Sequence, residues 1–187
     1  MCSATGACEP VDYGDDRTGD TSCWLVETCS GGRCLEILQR HNGPVDVQPP
    51  VSPRDKLAQT IKFGNAGQLE ELRVGWSCGM SAVSVEKLTA AGAPSGEQLA
   101  AVQLHDADDP GLFTAIAVSP PLSVSAGDRI ALVLTALASA GANSNCNAYA
   151  TSNDSYLDGS AFTWHNNDQT WTALPRVDLN FKVIVSR

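Results

Sequence analysis

The stretch Gly159–Val185, GSAFTWHNNDQTWTALPRVDLNFKVIV, decides the fold class. In its last part Leu179, Phe181, Val183 and Val185 fall on one face of an extended chain, while Asp178, Asn180 and Lys182 fall on the other. That period of two predicts a half-buried antiparallel strand over residues 178–185. Earlier in the stretch, an extended run carries Phe162 and Trp164 on one face. The polar corner His165-Asn166-Asn167-Asp168-Gln169 then turns the chain, and Thr170-Trp171-Thr172 begins a short return strand.

The same alternation recurs upstream. Leu57, Gln59, Ile61 and Phe63 alternate with their neighbours, and Gly64-Asn65-Ala66-Gly67 then turns the chain. Leu72, Val74 and Trp76 form the next set, followed by Val83 and Val85. After a break at Ala91-Gly92-Ala93-Pro94-Ser95-Gly96 come Ala100, Val102 and Leu104. Residues 113–118 make another strand, expected to stop at Pro120-Pro121 before Leu122-Ser123-Val124. Ile130, Leu132 and Leu134 have Ala131 and Val133 between them, so this run is apolar on both faces and predicts a central strand. Residues 138–145 read as a loop or one helical turn, and Cys146–Thr151 resumes as strand. Nine or ten short strands with turn signals between them, and no long amphipathic helix, predict an all-β chain. The expected architecture is an antiparallel two-sheet sandwich of jelly-roll type.

The chain of 187 residues has room for one good core and a small appendage. Three parts are expected. Residues 1–41 form a cysteine-rich segment too poor in apolar side chains to fold without covalent staples. Residues 42–56 hold Pro44, Pro49, Pro50 and Pro53 and read as an extended spacer. Residues 57–187 form the sandwich.

The net charge of −9 comes without a basic stripe, which argues against nucleic acid or anionic lipid as the main partner. No apolar run is long enough to span a bilayer as a helix. Seven cysteines point to an oxidising compartment, hence a secreted, periplasmic or outer-surface location. Met1 runs directly into Cys2 with no leader, so the expectation is a mature sequence behind an added start codon. Setting Cys2 aside leaves Cys8, Cys23, Cys29, Cys34, Cys78 and Cys146, enough for three disulfides, with Cys78–Cys146 the expected staple of the sandwich. Cys2 before small residues resembles the lipid-modified cysteine of bacterial lipoproteins; pairing with Cys8 or a free thiol is the plainer reading. A zinc site of Cys23, Cys29, Cys34 and His41 lacks the short paired spacing of structural zinc knuckles.

Four constellations carry chemical possibilities. Gly75-Trp76-Ser77-Cys78-Gly79 matches the G-x-S-x-G nucleophile elbow by letter, but the residues after it read as strand where the elbow needs a helix. The acidic loop at Asp106, Asp108 and Asp109 offers hard oxygen ligands suited to calcium, and a solvated turn is the competing reading. Asp154 and Asp158 are the further acids that could join it from elsewhere in the fold. Paired carboxylates for glycoside hydrolysis would need one acid in an apolar pocket, for which the sequence offers no sign. Trp164 beside His165, Asn166, Asn167 and Asp168 combines an aromatic platform with hydrogen-bonding side chains, as sugar recognition requires, and Tyr149 and Tyr156 are further aromatic candidates. Core packing is the competing role for each of these rings.

Gly159-Ser160-Ala161-Phe162, then Trp171-Thr172 and Leu174, then Asp178-Leu179 with Phe181-Lys182, resembles the closing strands of jelly-roll modules in secreted bacterial proteins. Residues 57–63 and the Ser125-Ala126-Gly127-Asp128 turn fit the same pattern. In the N-terminal segment, residues 29–36 are similar to short cysteine-rich repeats of secreted myxobacterial proteins. This resemblance implies an accessory or carbohydrate-binding-like domain with a binding role, and it identifies no ligand. The expected function is a non-catalytic extracytoplasmic binding module that recognises a glycan, without a cofactor beyond a possible calcium ion. The alternative is a structural or adhesive surface subunit that assembles with itself or with another protein.

Overall fold

Alternating apolar and polar residues leave a chain no way to bury its apolar half except as paired strands with one face turned inward. The computed structural model describes residues 26–30, 33–41, 43–77, 80–105, 113–137, 146–153 and 156–186. It is all-β, with no helix among those residues. In chain order the strands are β1 (Val26–Ser30), β2 (Arg33–His41), β3 (Pro50–Val51), β4 (Asp55–Lys62), β5 (Gly67–Val74), β6 (Trp76–Ser77), β7 (Met80–Leu88) and β8 (Pro94–His105). They continue as β9 (Thr114–Val124), β10 (Arg129–Ala136), β11 (Cys146–Ala148), β12 (Ala150–Thr151), β13 (Ala161–His165), β14 (Thr170–Leu174), β15 (Asp178–Leu179) and β16 (Phe181–Ser186).

Two antiparallel sheets dominate. One runs β1-β2-β16-β5-β9 and the other β14-β13-β4-β10-β7-β8. A single core cluster draws on both: Leu57, Ile61, Leu132 and Leu134 from the six-stranded sheet, and Leu69, Phe181, Val183 and Val185 from the five-stranded one. This arrangement is compatible with a β-sandwich. Burying side chains of this size contributes about 1.5–3 kcal/mol each, and Phe181, Leu132 and Leu134 are wholly buried. Two small sheets, β3-β11-β6 and β12-β15, complete the pairing among the described residues.

β10 lies between β4 and β7, the central position its two-sided apolar sequence predicts. Pro120 and Pro121 do not end a strand. β9 runs through them, with Leu69 opposite Leu122 and Glu71 opposite Ala117, so five steps along β9 match two along β5. β9 is an edge strand, where the N–H groups that proline lacks have no ladder partner to satisfy.

Three expectations change. The closing segment is not half-buried: Asp178 and Asn180 are 0% and 2% exposed, on the face expected to meet solvent. It also divides at Asn180 into β15, paired with β12, and β16, paired with β2 and β5. Internal partners offset the burial of the Asp178 carboxylate and of the Asn180 amide nitrogen, whereas the Asn180 amide oxygen is buried without a partner among the described residues. Asp178 Oδ2 accepts the Tyr156 N–H at 2.8 Å, and Asn180 Nδ2 donates to the Gly43 carbonyl at 3.1 Å. Gln59, also fully buried, accepts the Leu179 N–H at 2.9 Å. The third change concerns the N-terminal part: β2, from the segment expected to stand apart, pairs with β16 along residues 35–41. From the expected spacer, β3 pairs with β11, Val47 bridges to Ala150, and Val51 is fully buried.

Candidate functional site

Alternation along the six-stranded sheet gives it two unlike faces. Leu57, Ile61, Leu132, Leu134 and Ala161 point into the shared core, and the residues between them point away from it. On the outer face Ala58, Ala131 and Val133 form a second cluster, covered by the partly buried Leu88, Phe162 and Trp171. Small residues below and aromatic rings above build an apolar layer from one sheet alone.

That layer continues into a cross-strand row at the sheet end. β13 sits between β14 and β4, with Trp164 opposite Trp171 on one side and opposite Lys56 on the other. Aromatic and β-branched residues favour strands here, and directly opposed side chains interact. The two indole centroids are 6.1 Å apart with planes inclined by 51°. The Lys56 ammonium lies over the Trp164 ring, 5.5 Å from its centroid, within reach of the ring quadrupole. Trp164 is thus bracketed by an indole on the edge strand and by a cation. Both tryptophans are partly exposed.

The next register position adds a polar pair. His165 stands opposite Asp55, with Nδ1 3.1 Å from Asp55 Oδ1. An ionised carboxylate only accepts, so Nδ1 carries the hydrogen of this bond. The Ser52 hydroxyl donates to Asp55 Oδ2 at 2.7 Å. That hydroxyl, aided by His165 and opposed by partial burial, holds the Asp55 carboxyl below its ordinary pKa. Asn166–Gln169 form a tight turn in which Asp168 N–H and Gln169 N–H both donate to the His165 carbonyl, at 3.1 and 3.0 Å. Gln169 takes a positive φ of 50°, a region where side-chain-bearing residues are uncommon. Asn166, Asn167 and Asp168 are exposed.

Trp164 and His165 therefore share one end of β13 but face opposite sides of the sheet, and Asn166, Asn167 and Asp168 form the exposed turn that follows them. Tyr156 is elsewhere. Its hydroxyl accepts the Lys62 N–H at 3.2 Å, six residues along β4 from Lys56 and hence about 20 Å away. Its ring is 8% exposed and packs edge-on against Phe181 at 5.1 Å, serving the core. Burial pushes the phenol far above its ordinary pKa. Tyr149 is partly exposed and fixed by its backbone, which donates to the Gly75 carbonyl and accepts the Asn180 N–H, both at 2.8 Å. Trp76 is a core residue, 3% exposed.

Lys56 and Asp55 stand in the stretch that its prolines mark as a spacer, which hides them as site residues. The alternation that begins at Leu57 extends back through them, and that was the available signal.

Other expected sites have less to show. Asp106, Asp108, Asp109, Asp154, Cys2, Cys8, Cys23 and Cys78 lie outside the described residues. Among the described residues no group of three or more His, Cys, Asp or Glu side chains could hold a metal ion. His41, weighed as a zinc ligand, is buried beside Tyr156 and Phe181. Cys29 stands opposite Cys34 in the β1–β2 register. Cys146 is disulfide-bonded and wholly buried. At the G-x-S-x-G match, Trp76–Ser77 is a two-residue strand paired with β11 and followed by β7, so the strand–turn–helix of a nucleophile elbow is absent. No protein-family model matches the chain, and no curated protein matches its sequence.

Proposed function

We propose that the chain is a non-catalytic, extracytoplasmic binding module of jelly-roll type, and that it takes a glycan at the Trp164–Trp171 corner. The observation that supports this most is the placement of two partly exposed indoles side by side on the outer face of a sheet, next to a turn of exposed amide and carboxylate side chains. Sugars present an apolar ring face and a rim of hydroxyls, which such a pairing of ring and polar group complements. Rigid aromatic rings on a strand also lose little conformational entropy on binding.

The rest of the reading follows from an oxidising location. Cys8, Cys23, Cys29, Cys34, Cys78 and Cys146 form disulfides, Cys2 is a lipid anchor, and calcium at Asp106, Asp108 and Asp109 is an accessory to the fold. For Cys146 the proposed partner is Cys78, the other cysteine of the sandwich sequence.

A broad glycan array probed with the wild type, Trp164→Ala and Trp171→Ala tests the function. The wild type binds at least one glycan class, and each variant weakens it about tenfold or more, the scale of losing a hot-spot aromatic. Absence of glycan binding, or unchanged affinity in both variants, rejects the reading. The alternative is a surface subunit that assembles through strand edges. It would use β8, a twelve-residue strand at the edge of its sheet, and sedimentation showing self-association would favour it.

A further inference from the structure

We infer that the glycan taken at this corner is acidic, with a carboxylate or sulfate on one sugar meeting Lys56 while a neighbouring sugar lies against Trp171. The inference rests on the glycan reading above and narrows it to a charge class.

Three observations carry it. First, Lys56 makes no ion pair among the described residues, although the chain has 21 acidic residues against 12 Lys and Arg. By contrast, Lys62 lies 3.3 Å from Asp158, and Lys87 is also paired, with Glu97. Second, the carboxylate next to Lys56 in sequence is already engaged: Asp55 accepts from Ser52 and from His165. Third, the strand order β14-β13-β4 fixes the Lys56 ammonium and Trp171 on opposite flanks of Trp164, at 5.5 and 6.1 Å from its ring. A ligand touching both flanks must cross the upper edge of Trp164, so one sugar supplies the anion and another the apolar ring face.

Trp164 then meets the ligand along its upper edge and also positions its two neighbours. Its ring fixes the height of the ammonium above the sheet and backs the edge indole. The net charge of −9 does not oppose this strongly, because charges beyond about 8 Å are largely screened at physiological ionic strength. A contact between ammonium and carboxylate at the surface of a partly apolar site is charge-assisted and stronger than a neutral hydrogen bond.

The test is calorimetric titration with matched pairs of oligosaccharides: oligogalacturonate against its methyl ester, and a sulfated oligosaccharide against its desulfated form. The wild type favours an acidic member by about tenfold or more, as loss of one charge-assisted bond predicts. Lys56→Gln makes the two members of that pair equal, and Lys56→Arg restores the preference. Raising the salt concentration shrinks the preference in the wild type and does nothing in Lys56→Gln. Equal binding of acidic and neutral members by the wild type, or a preference that survives Lys56→Gln, overturns the inference while leaving a glycan module in place. If none of these oligosaccharides binds but a neutral glycan on the array does, the acidic class is likewise wrong. If no glycan of any kind binds, both readings fail together.

Discussion

The two faces of the six-stranded sheet are made by the same strands and differ in every other respect. Inward, Leu57, Ile61, Leu132 and Leu134 meet a second sheet and share one core with it. Outward, Ala58, Ala131 and Val133 are just as buried, yet what covers them comes from their own sheet: Phe162, Trp171 and Leu88. The inner face is closed by large aliphatics from two layers. The outer face is closed by aromatics lying over small residues, so part of each ring stays in contact with water. The first arrangement stabilises the fold, and the second leaves a surface on which a ligand can rest.

Substitutions on neighbouring residues of β10 test the contrast most strongly. Leu132→Ala should cost about 2–5 kcal/mol in chemical denaturation, from lost burial and the cavity left behind. Val133→Ala, one residue along and covered by a single layer that can relax, should cost about 1 kcal/mol. Equal costs would mean the outer cluster is as tightly packed as the core. Next in size is the disulfide. Cys146→Ala should lower stability by about 2–4 kcal/mol, and peptide mapping of unreduced protein should recover Cys78 joined to Cys146. Recovery of any other partner would break the proposed staple.

A smaller effect depends on pH. Burial, the larger influence, lowers the pKa of His41 below 6.5, and the nearby Asp178 partly restores it. The folded state therefore binds fewer protons than the unfolded state just below pH 6.5. Stability should be greatest above that pH and fall on acidification towards the lowered value. Replacing His41 with Gln should flatten the slope of melting temperature over that interval; a slope unchanged by His41→Gln would assign the effect to other groups. Smallest of all, Asp55→Asn should change stability by less than about 1 kcal/mol, because His165 is 53% exposed and surface pairs contribute little. A loss of several kcal/mol would show that this corner holds up the sheet and does not merely decorate it.

The alternation that identified β4, β7 and β10 is a local property, legible because a strand with one buried face must repeat every two residues. Trp164, His165 and the turn behind them were legible for a related reason, since an aromatic beside a polar turn stands out in a strand-rich chain. Lys56 was not. Its role exists because β13 lies beside β4, a pairing between residues more than a hundred positions apart. Asp178 and Asn180 misled for the same reason. Their sequence spacing marks an exposed face, and only β12, Gln59 and Tyr156 arriving from elsewhere make that face interior.

Local patterning is enough to specify that this protein is built of strands, which apolar side chains those strands turn inward, and that an aromatic, amide-rich corner interrupts them. The tertiary structure alone decided that β2 completes the sheet of the closing strand, that the polar residues of β15 are buried, and that Trp164 stands between Trp171 and Lys56. The division has a physical cause. Side-chain direction along a strand follows from the backbone over two residues, whereas the neighbour across a ladder is set by which strands pair and in what register.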